Sequence, residues 1–264
     1  MEKRISILGA GNIGLAIADG ISKAKIAKGR IAITRKSEDF SDELRKVYDC
    51  VDNEQALRFG DILILAVQPK QVEELLSEMK GSIKEHHLLI SVVSGVSITR
   101  IKELLGNDKV KVVRAMPNTS IRYGESMTCL AFNESAMEHR DLVERIFNSL
   151  GKFIILEESK FPQATVLCGS GPALMLKFAR AYMQAGIQNG FNEHDALLIA
   201  GQLMRGVSRA ILEGKVHPEV EIDKVTTPGG CTIDALIEMD HAGFSSALLR
   251  AVSAGVDKAK SLYS

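Results

Sequence analysis

Short apolar runs alternate with helical patterns through the first 156 residues, and this alternation restricts the possible folds more than any other feature. Several runs are apolar throughout, which is typical of strands buried on both faces of a parallel sheet. Helical patterns lie between them, for example at 12–28, 70–80 and 135–149. The alternation predicts an open α/β sheet. The predicted strands lie at 4–11, 30–35, 61–67, 88–94, 110–116, 126–132 and 151–157.

The pattern changes after Glu158, and no strand is predicted beyond it. Helical patterns cover 172–190, 193–214 and 243–263 instead. The helix at 193–214 is apolar on nearly all sides, so it must be buried on nearly all sides. We expect it to pack against a second subunit; the alternative is a monomer whose helices cover one another and the sheet. Its apolar residues are Ala196, Leu197, Leu198, Ala200, Leu203, Met204, Val207, Ala210 and Ile211.

Charge balance and cysteine spacing exclude several classes of function. Lysine and arginine total 33, as do aspartate and glutamate, so no nucleic-acid partner is expected. No apolar run approaches the roughly 18 residues of a membrane helix, and the N-terminal residues lack a signal-peptide pattern. The cysteines have no CxxC spacing, which is typical of reduced thiols and predicts a cytoplasmic protein without a metal site. They are Cys50, Cys129, Cys168 and Cys231.

The motif "GAGNIG" (9–14) follows the first predicted strand and opens a helix, which is the context that a dinucleotide-binding fingerprint requires. Gly9 permits a tight turn, Gly11 admits a pyrophosphate, and Gly14 permits close packing of helix on strand. Asn12 and Ile13 open the helix, whose free N–H groups attract phosphate. The alternative is a glycine-rich turn without a ligand. We therefore predict an N-terminal Rossmann-type domain at 1–158 and a C-terminal all-helical dimerisation domain at 159–264.

The residues after the second strand discriminate between the two dinucleotides. An NAD site places an acidic residue there, whereas this chain has Arg35, Lys36 and Ser37, which can bind a 2′-phosphate. Glu38 and Asp39 follow and are expected to lie past the ribose. The pattern favours NADPH, with NADH as the lesser possibility; the alternative is a solvated basic turn.

Two further strand ends are candidate cofactor contacts. "AVQPK" (66–70) contributes Ala66, Val67, Gln68 and Pro69, at the edge where ligands of such folds bind. "MPNTS" (116–120) contributes Asn118, whose side chain suits a ribose or nicotinamide. The alternative for both is ordinary strand-end turn chemistry.

The stretch "TTPGGCTIDAL" (226–236) places two glycines directly before a predicted helix. The residues alone support two interpretations equally: a turn that caps the helix with Thr232, or an anion site built from free N–H groups.

The sequence as a whole resembles the pyrroline-5-carboxylate reductase family. The resemblance runs nearly end to end and depends on six ordered motifs: "GAGNIG", "LAVQPK", "ISVVSGVSI", "MPNTS", "CGSGPA" and "VTTPGGCTIDAL". Departures are mild. The family commonly has proline at Ser120, often has serine and tyrosine at Cys168 and Leu174, and usually has serine and threonine at Thr227 and Cys231 or a close variant.

The resemblance implies reduction of the C=N bond of 1-pyrroline-5-carboxylate to proline with NAD(P)H, and dimers that often assemble into a decamer. The small-molecule substrate carries a carboxylate and an imine. We expect the N–H groups of the turn to bind the carboxylate and the Thr232 hydroxyl, the candidate catalytic group, to bind the imine nitrogen. The expected substrate-binding residues are Pro228, Gly229, Gly230, Cys231 and Thr232.

Alternative functions are a β-hydroxyacid dehydrogenase, a reductase of related cyclic imines, and an NADP-sensing protein. The dehydrogenases use a lysine as general acid at the position that Met175 occupies here, and an asparagine at that of Ala179. Lys177 is two residues away, roughly 200° around a helix. A carbonyl needs that acid and an iminium does not, so the sequence favours an imine substrate.

Overall fold

The computed structural model describes residues 3–37 and 39–263, so Glu38 lies outside the described residues. The chain forms two compact units. The first contains residues up to Ser170 and from Val256 onward, and the second is Gly171–Gly255. The sequence-based domain boundary after residue 158 stays a prediction.

Eight strands of the described residues form one sheet in the order β3-β2-β1-β4-β5-β6-β7-β8. Neighbours are parallel except for the β6–β7 pair. Each predicted strand region contains a strand, and the predicted α/β fold class is confirmed. The short β3 was not predicted, because its two residues carry no apolar run. The strands are β1 (Ile5–Leu8), β2 (Ala32–Thr34), β3 (Asp49–Cys50), β4 (Ile62–Leu65), β5 (Leu88–Ser91), β6 (Lys111–Met116), β7 (Ser126–Phe132) and β8 (Gly151–Ile155).

Helices of the first unit cover both faces of the sheet, since β1, β4 and β5 are buried along their whole length. On one face, Ile5, Ile7 and Ile33 pack with α1 and α6, the helices Asn12–Lys23 and Arg140–Asn148. On the other face, the leucines of β4 pack with the helices α3, α4 and α5. The remaining bounds are α2 (Asp42–Val47), α3 (Asn53–Phe59), α4 (Val72–Met79), α5 (Ile98–Leu105) and α7 (Phe161–Ala164).

The helix predicted at 12–28 is shorter than expected. It ends at Lys23, because Lys25 adopts a left-handed conformation with φ 53°. The Lys25 and Ile26 N–H groups donate back to the carbonyls of Ser22 and Ile21, which closes the helix end and buries Ile26.

No strand occurs among the described residues after Ile155, as predicted. In the second unit only Ala196 and Ala200 are buried among the apolar side chains. Leu203, Val207 and Ile211 remain about half exposed and line an apolar groove between α8 and α9. The helices are α8 (Gly171–Gln188), α9 (Glu193–Gly214), α10 (Pro218–Lys224), α11 (Cys231–His241) and α12 (Phe244–Tyr263), the last of which continues into the first unit from Val256.

Candidate active site

The glycines of "GAGNIG" differ in what they make possible. Gly9 has φ +105°, and a Cβ there would lie 2.8 Å from the backbone of Ala66. A Cβ on Gly14 would lie 2.2 Å from the Gly9 carbonyl oxygen, whereas one on Gly11 would meet nothing within 4 Å. Gly9 and Gly14 therefore permit the chain's own packing, and Gly11 leaves open space beside the helix.

The N-terminus of α1 is available to an anion. Its N-cap is Gly11, which forms no side-chain cap hydrogen bond, and its first turn contains no acidic residue. The N–H groups of Asn12, Ile13 and Gly14 have no intrahelical acceptors, and the helix dipole gives this end a partial positive charge. A pyrophosphate suits this end of the helix.

Eight of the predicted cofactor residues line one cavity of about 630 Å³. The cavity extends from the glycine-rich turn along the carboxyl ends of β1, β2 and β4, which is the edge where dinucleotides bind in such sheets. These eight residues are Gly9, Gly11, Arg35, Lys36, Ser37, Ala66, Val67 and Gln68.

Arg35 links the end of β2 to the glycine-rich turn. Its Nη2 donates to the Ala10 carbonyl at 2.8 Å and its Nη1 to the Asp39 carbonyl at 2.9 Å. Its guanidinium carbon lies 5.8 Å from the centre of the Phe40 ring. These partners are all neutral, so none of these contacts neutralises the positive charge of Arg35 at the cavity wall.

Lys36 has an acidic partner. Its Nζ lies 2.8 Å from Glu74 Oε2, and the hydrogen bond that it donates to Glu74 raises the pKa of Lys36. Glu74 and Glu78, both on α4, line the same cavity. Neither acid was among the predicted cofactor residues, although α4 begins two residues after "AVQPK" and so starts near this edge.

The other predicted cofactor residues lie outside this cavity or are engaged elsewhere. Asn12 and Ile13 line a separate cavity of about 760 Å³ along α1, and Pro69 lines a third of about 640 Å³. The Asn118 side chain is 7% exposed; it accepts from the Ser120 N–H and donates to the Cys168 carbonyl. Strand-end turn chemistry accounts for these Asn118 bonds, and its contact with a cofactor stays a prediction.

In the second unit, "TTPGGCT" forms a tight turn before α11. The Gly230 N–H donates to the Thr227 carbonyl at 3.0 Å, which places Pro228 and Gly229 at the two central positions. Gly229 has φ +67°, a left-handed conformation that glycine adopts without strain. The local geometry of the turn is therefore enough to account for proline and glycine at the positions of Pro228 and Gly229.

Thr232 does not cap the helix, which was one of the two interpretations of the turn. The N-cap is Gly230, in an extended conformation with no side-chain cap bond, and α11 begins at Cys231. Thr232 is the second helical residue and is half-buried. The Gly230 N–H is also used within the turn, so it cannot join the N–H groups of Cys231 and Thr232 around an anion.

The described residues contain no group of three or more histidine, cysteine, aspartate or glutamate side chains that could hold a metal ion. None of the described helices is both long enough and apolar enough to span a membrane.

Two family models match the chain. One, described as pyrroline-5-carboxylate reductase dimerisation, matches residues 158–262. The other, described as NADP oxidoreductase, coenzyme F420-dependent, matches residues 4–95. The two matches fall on the helical region and on the sheet region, respectively.

Curated relatives match nearly the whole chain. Pyrroline-5-carboxylate reductase 1 of Dictyostelium discoideum is 41% identical over 99% of this chain, which spans 50% of that relative. Pyrroline-5-carboxylate reductase 2 of the same organism is 36% identical, over 97% of this chain and 92% of the relative. The crystal structure of Plasmodium falciparum pyrroline carboxylate reductase with NADP bound is 26% identical, covers 99% of this chain and 98% of its own, and superposes with a TM-score of 0.89.

Proposed function

Because this chain belongs to the pyrroline-5-carboxylate reductase family, we propose that it reduces the C=N bond of 1-pyrroline-5-carboxylate to L-proline with NADPH, the last step of proline biosynthesis. The observation that carries the proposal is the N-terminus of α11, which has no side-chain cap and places a threonine hydroxyl in its first turn. Such an end suits a small ring that carries a carboxylate beside an imine.

The residues of the first unit fit NADPH. Gly11 leaves space for a pyrophosphate at the N-terminus of α1, and Arg35 and Lys36 supply positive charge for the 2′-phosphate. Ser37 can donate a hydrogen bond to the same phosphate, and Ala66 and Val67 border the cavity floor. When bound, the cofactor supplies the hydride. NADH, which lacks the 2′-phosphate, would leave Arg35 and Lys36 without that partner.

The turn of the second unit fits the substrate. The Cys231 and Thr232 N–H groups are the proposed donors to the carboxylate, and Gly229 has no side chain to block its approach. The Thr232 hydroxyl is the proposed partner of the ring nitrogen. The imine nitrogen is basic enough to be protonated in water, so the protein needs no strong acid and must chiefly hold the two reactants together and exclude water.

Oligomerisation through the helical region follows from the dimerisation model at 158–262. The exposed apolar groove of α8 and α9 is the proposed contact surface, because burying Leu203, Val207 and Ile211 would remove apolar area from water. We further propose that dimers assemble into a decamer, and that the turn at 226–232 serves the active site of its own or of the partner subunit. A cytoplasmic location without a nucleic-acid partner completes the proposal.

A turnover assay tests this function. The purified chain is given NADPH together with either pyrroline-5-carboxylate or a six-membered cyclic imine carboxylate. In a separate assay it is given NADP⁺ and a β-hydroxyacid. We expect the five-membered imine to have the highest kcat/KM and proline to be the product. Turnover of the hydroxyacid without turnover of the imine would instead identify a dehydrogenase, and no turnover with any substrate would favour a sensor.

A further inference from the structure

Two cysteine side chains of the first unit lie next to each other. Cys129 Sγ and Cys168 Sγ are 3.3 Å apart, although the residues are 39 positions apart in sequence. Cys129, on β7, is 1% exposed, whereas Cys168 is partly exposed in the π-helical turn Thr165–Gly169.

The two thiols differ in reactivity. The hydrogen bond from Cys129 lowers the pKa of Cys168 to about 7, although partial burial opposes this shift. The same contact and burial raise the pKa of Cys129. Cys168 is therefore the more acidic of the two thiols, and it is also the more accessible; thiolate is the form that reacts with oxidants.

We propose that Cys129 and Cys168 are a redox modification site, which forms a reversible disulfide with hydrogen peroxide as oxidant and slows turnover when oxidised. The Sγ atoms must approach from 3.3 Å to about 2.05 Å, a small movement for a side chain in a short helical turn.

The reaction balances as two thiols and one peroxide giving one disulfide and two waters. The Cys168 thiolate attacks a peroxide oxygen, the O–O bond breaks, and the released hydroxide takes up a proton to become water. Cys168 is then a sulfenic acid. The Cys129 sulfur attacks the Cys168 sulfur, the S–O bond breaks, and the hydroxyl leaves as water with the proton of the Cys129 thiol. A small thiol such as glutathione reverses the bond by exchange.

The position of Cys168 gives the bond a consequence for turnover. Its carbonyl accepts from Asn118 Nδ2 at 3.0 Å, and Gly171, three residues later, begins the second unit. A disulfide attaches this connecting segment covalently to β7 of the sheet. It therefore restrains the chain at the point where it passes from the unit with the cofactor cavity to the unit with the substrate turn.

Peptide mapping tests the modification directly. The reduced protein is treated with a graded excess of hydrogen peroxide, free thiols are alkylated, and peptides from a non-reducing digest are identified by mass spectrometry. We expect a cross-linked peptide pair that joins Cys129 to Cys168, that disappears with dithiothreitol, and that is absent from Cys168→Ser. Cys50→Ser, which removes a half-exposed cysteine of the same unit, should cross-link like the wild type.

Activity is measured on the same samples. We expect kcat of the wild type and of Cys50→Ser to fall by severalfold on oxidation and to recover with dithiothreitol, whereas Cys168→Ser stays active throughout. Cys168 oxidised without a cross-link to Cys129, or bonded to Cys231, would overturn the site; a cross-link with unchanged kcat would overturn its control of turnover. The mapping does not depend on the proposed activity, so the two can fail separately.

Discussion

Glu74 and Lys36 form an ion pair inside the cavity proposed for NADPH, with 2.8 Å between Oε2 and Nζ. Both side chains are more than half exposed, so solvent screens the pair and its contribution to stability is small. A 2′-phosphate, with up to two negative charges, can therefore take Lys36 from Glu74 at little cost. Glu74 and its neighbour Glu78 would then repel the same phosphate.

Substitutions of Lys36 and Glu74 should therefore have opposite effects on the KM for NADPH. Lys36→Gln should raise the KM for NADPH by roughly fivefold or more, and Glu74→Gln should lower it by about twofold or more, because one change removes an attraction and the other a repulsion. The KM for NADH should change by less than about twofold in either variant. Steady-state kinetics with both cofactors measures these effects.

A matched control exists in the same unit. Lys111 and Glu138 also form an ion pair at 2.8 Å but do not line the cavity, so Lys111→Gln should leave the ratio of the two KM values unchanged. Equal changes for NADPH and NADH in the Lys36 variant would show that Lys36 does not contact the 2′-phosphate.

The fingerprint glycines permit a separation of folding from cofactor binding. Gly14→Ala should destabilise the protein by about 1–3 kcal/mol, because its Cβ would lie 2.2 Å from the Gly9 carbonyl oxygen and α1 would have to move. Gly11 has φ −86° and open space where a Cβ would lie. Gly11→Ala should therefore lower the free energy of unfolding by at most about 1 kcal/mol, through the loss of a favourable N-cap residue. Urea denaturation monitored by circular dichroism measures both.

Gly11→Ala should affect the affinity for the cofactor more than the stability of the protein. Its new methyl group would enter the space proposed for the pyrophosphate, so the Kd for NADPH should rise by about tenfold or more in a protein that remains folded. Calorimetric titration measures this affinity. Unchanged affinity in Gly11→Ala would place the pyrophosphate elsewhere.

The role of Thr232 in catalysis can be tested without removing a helix cap. Because Gly230 caps α11, Thr232→Ala removes no cap bond, and Tm should change by no more than a few degrees. The variant should lose about tenfold or more in kcat/KM, equivalent to one hydrogen bond of about 1.4 kcal/mol. Thr232→Ser keeps the hydroxyl and should retain most of the activity. If the alanine variant were as active as the wild type, Thr232 would have no part in the mechanism.

The strands and helices were predictable where apolar residues form a continuous run or recur with the period of a helix. The strands at 61–67 and 88–94 are apolar throughout because both of their faces are covered, and burial of that kind leaves a continuous signal. β3 carried no such signal, since Asp49 and Cys50 pair at the edge of the sheet and are only half-buried. The early end of α1 depends on the left-handed Lys25, and lysine gives no indication of that conformation.

The candidate site was predictable where a motif fixes the backbone and less so where side chains from distant segments meet. "GAGNIG" predicted the turn and the helix start, because glycine is required by the backbone itself. Glu74 lies 38 residues from Lys36, so their ion pair depends on the tertiary structure that brings these two side chains together. The Cys129–Cys168 contact likewise spans 39 residues, and separate cysteines gave no sign of it.

A buried histidine predicts how stability depends on pH. His87 is 4% exposed, and its Nδ1 accepts the Lys84 N–H at 2.9 Å, which requires an unprotonated nitrogen. Burial, together with the neighbouring His86, lowers the pKa of His87 from 6.5 to about 4. Between these values the unfolded chain binds a proton that the folded protein does not, so the free energy of unfolding must fall as the pH falls.

The expected contribution is about 1–2 kcal/mol between pH 7 and pH 5. His87→Gln, which has no group that titrates in this range, should therefore lose that much less stability than the wild type over the same interval, even if it is less stable at pH 7. His86→Gln, at the exposed neighbouring position, leaves burial, the largest cause of the shift, in place, so its profile should lie much nearer to that of the wild type than to that of His87→Gln. Urea denaturation at pH 7, 6 and 5 measures the three profiles; parallel curves for the wild type and His87→Gln would show that folding does not shift the pKa of His87.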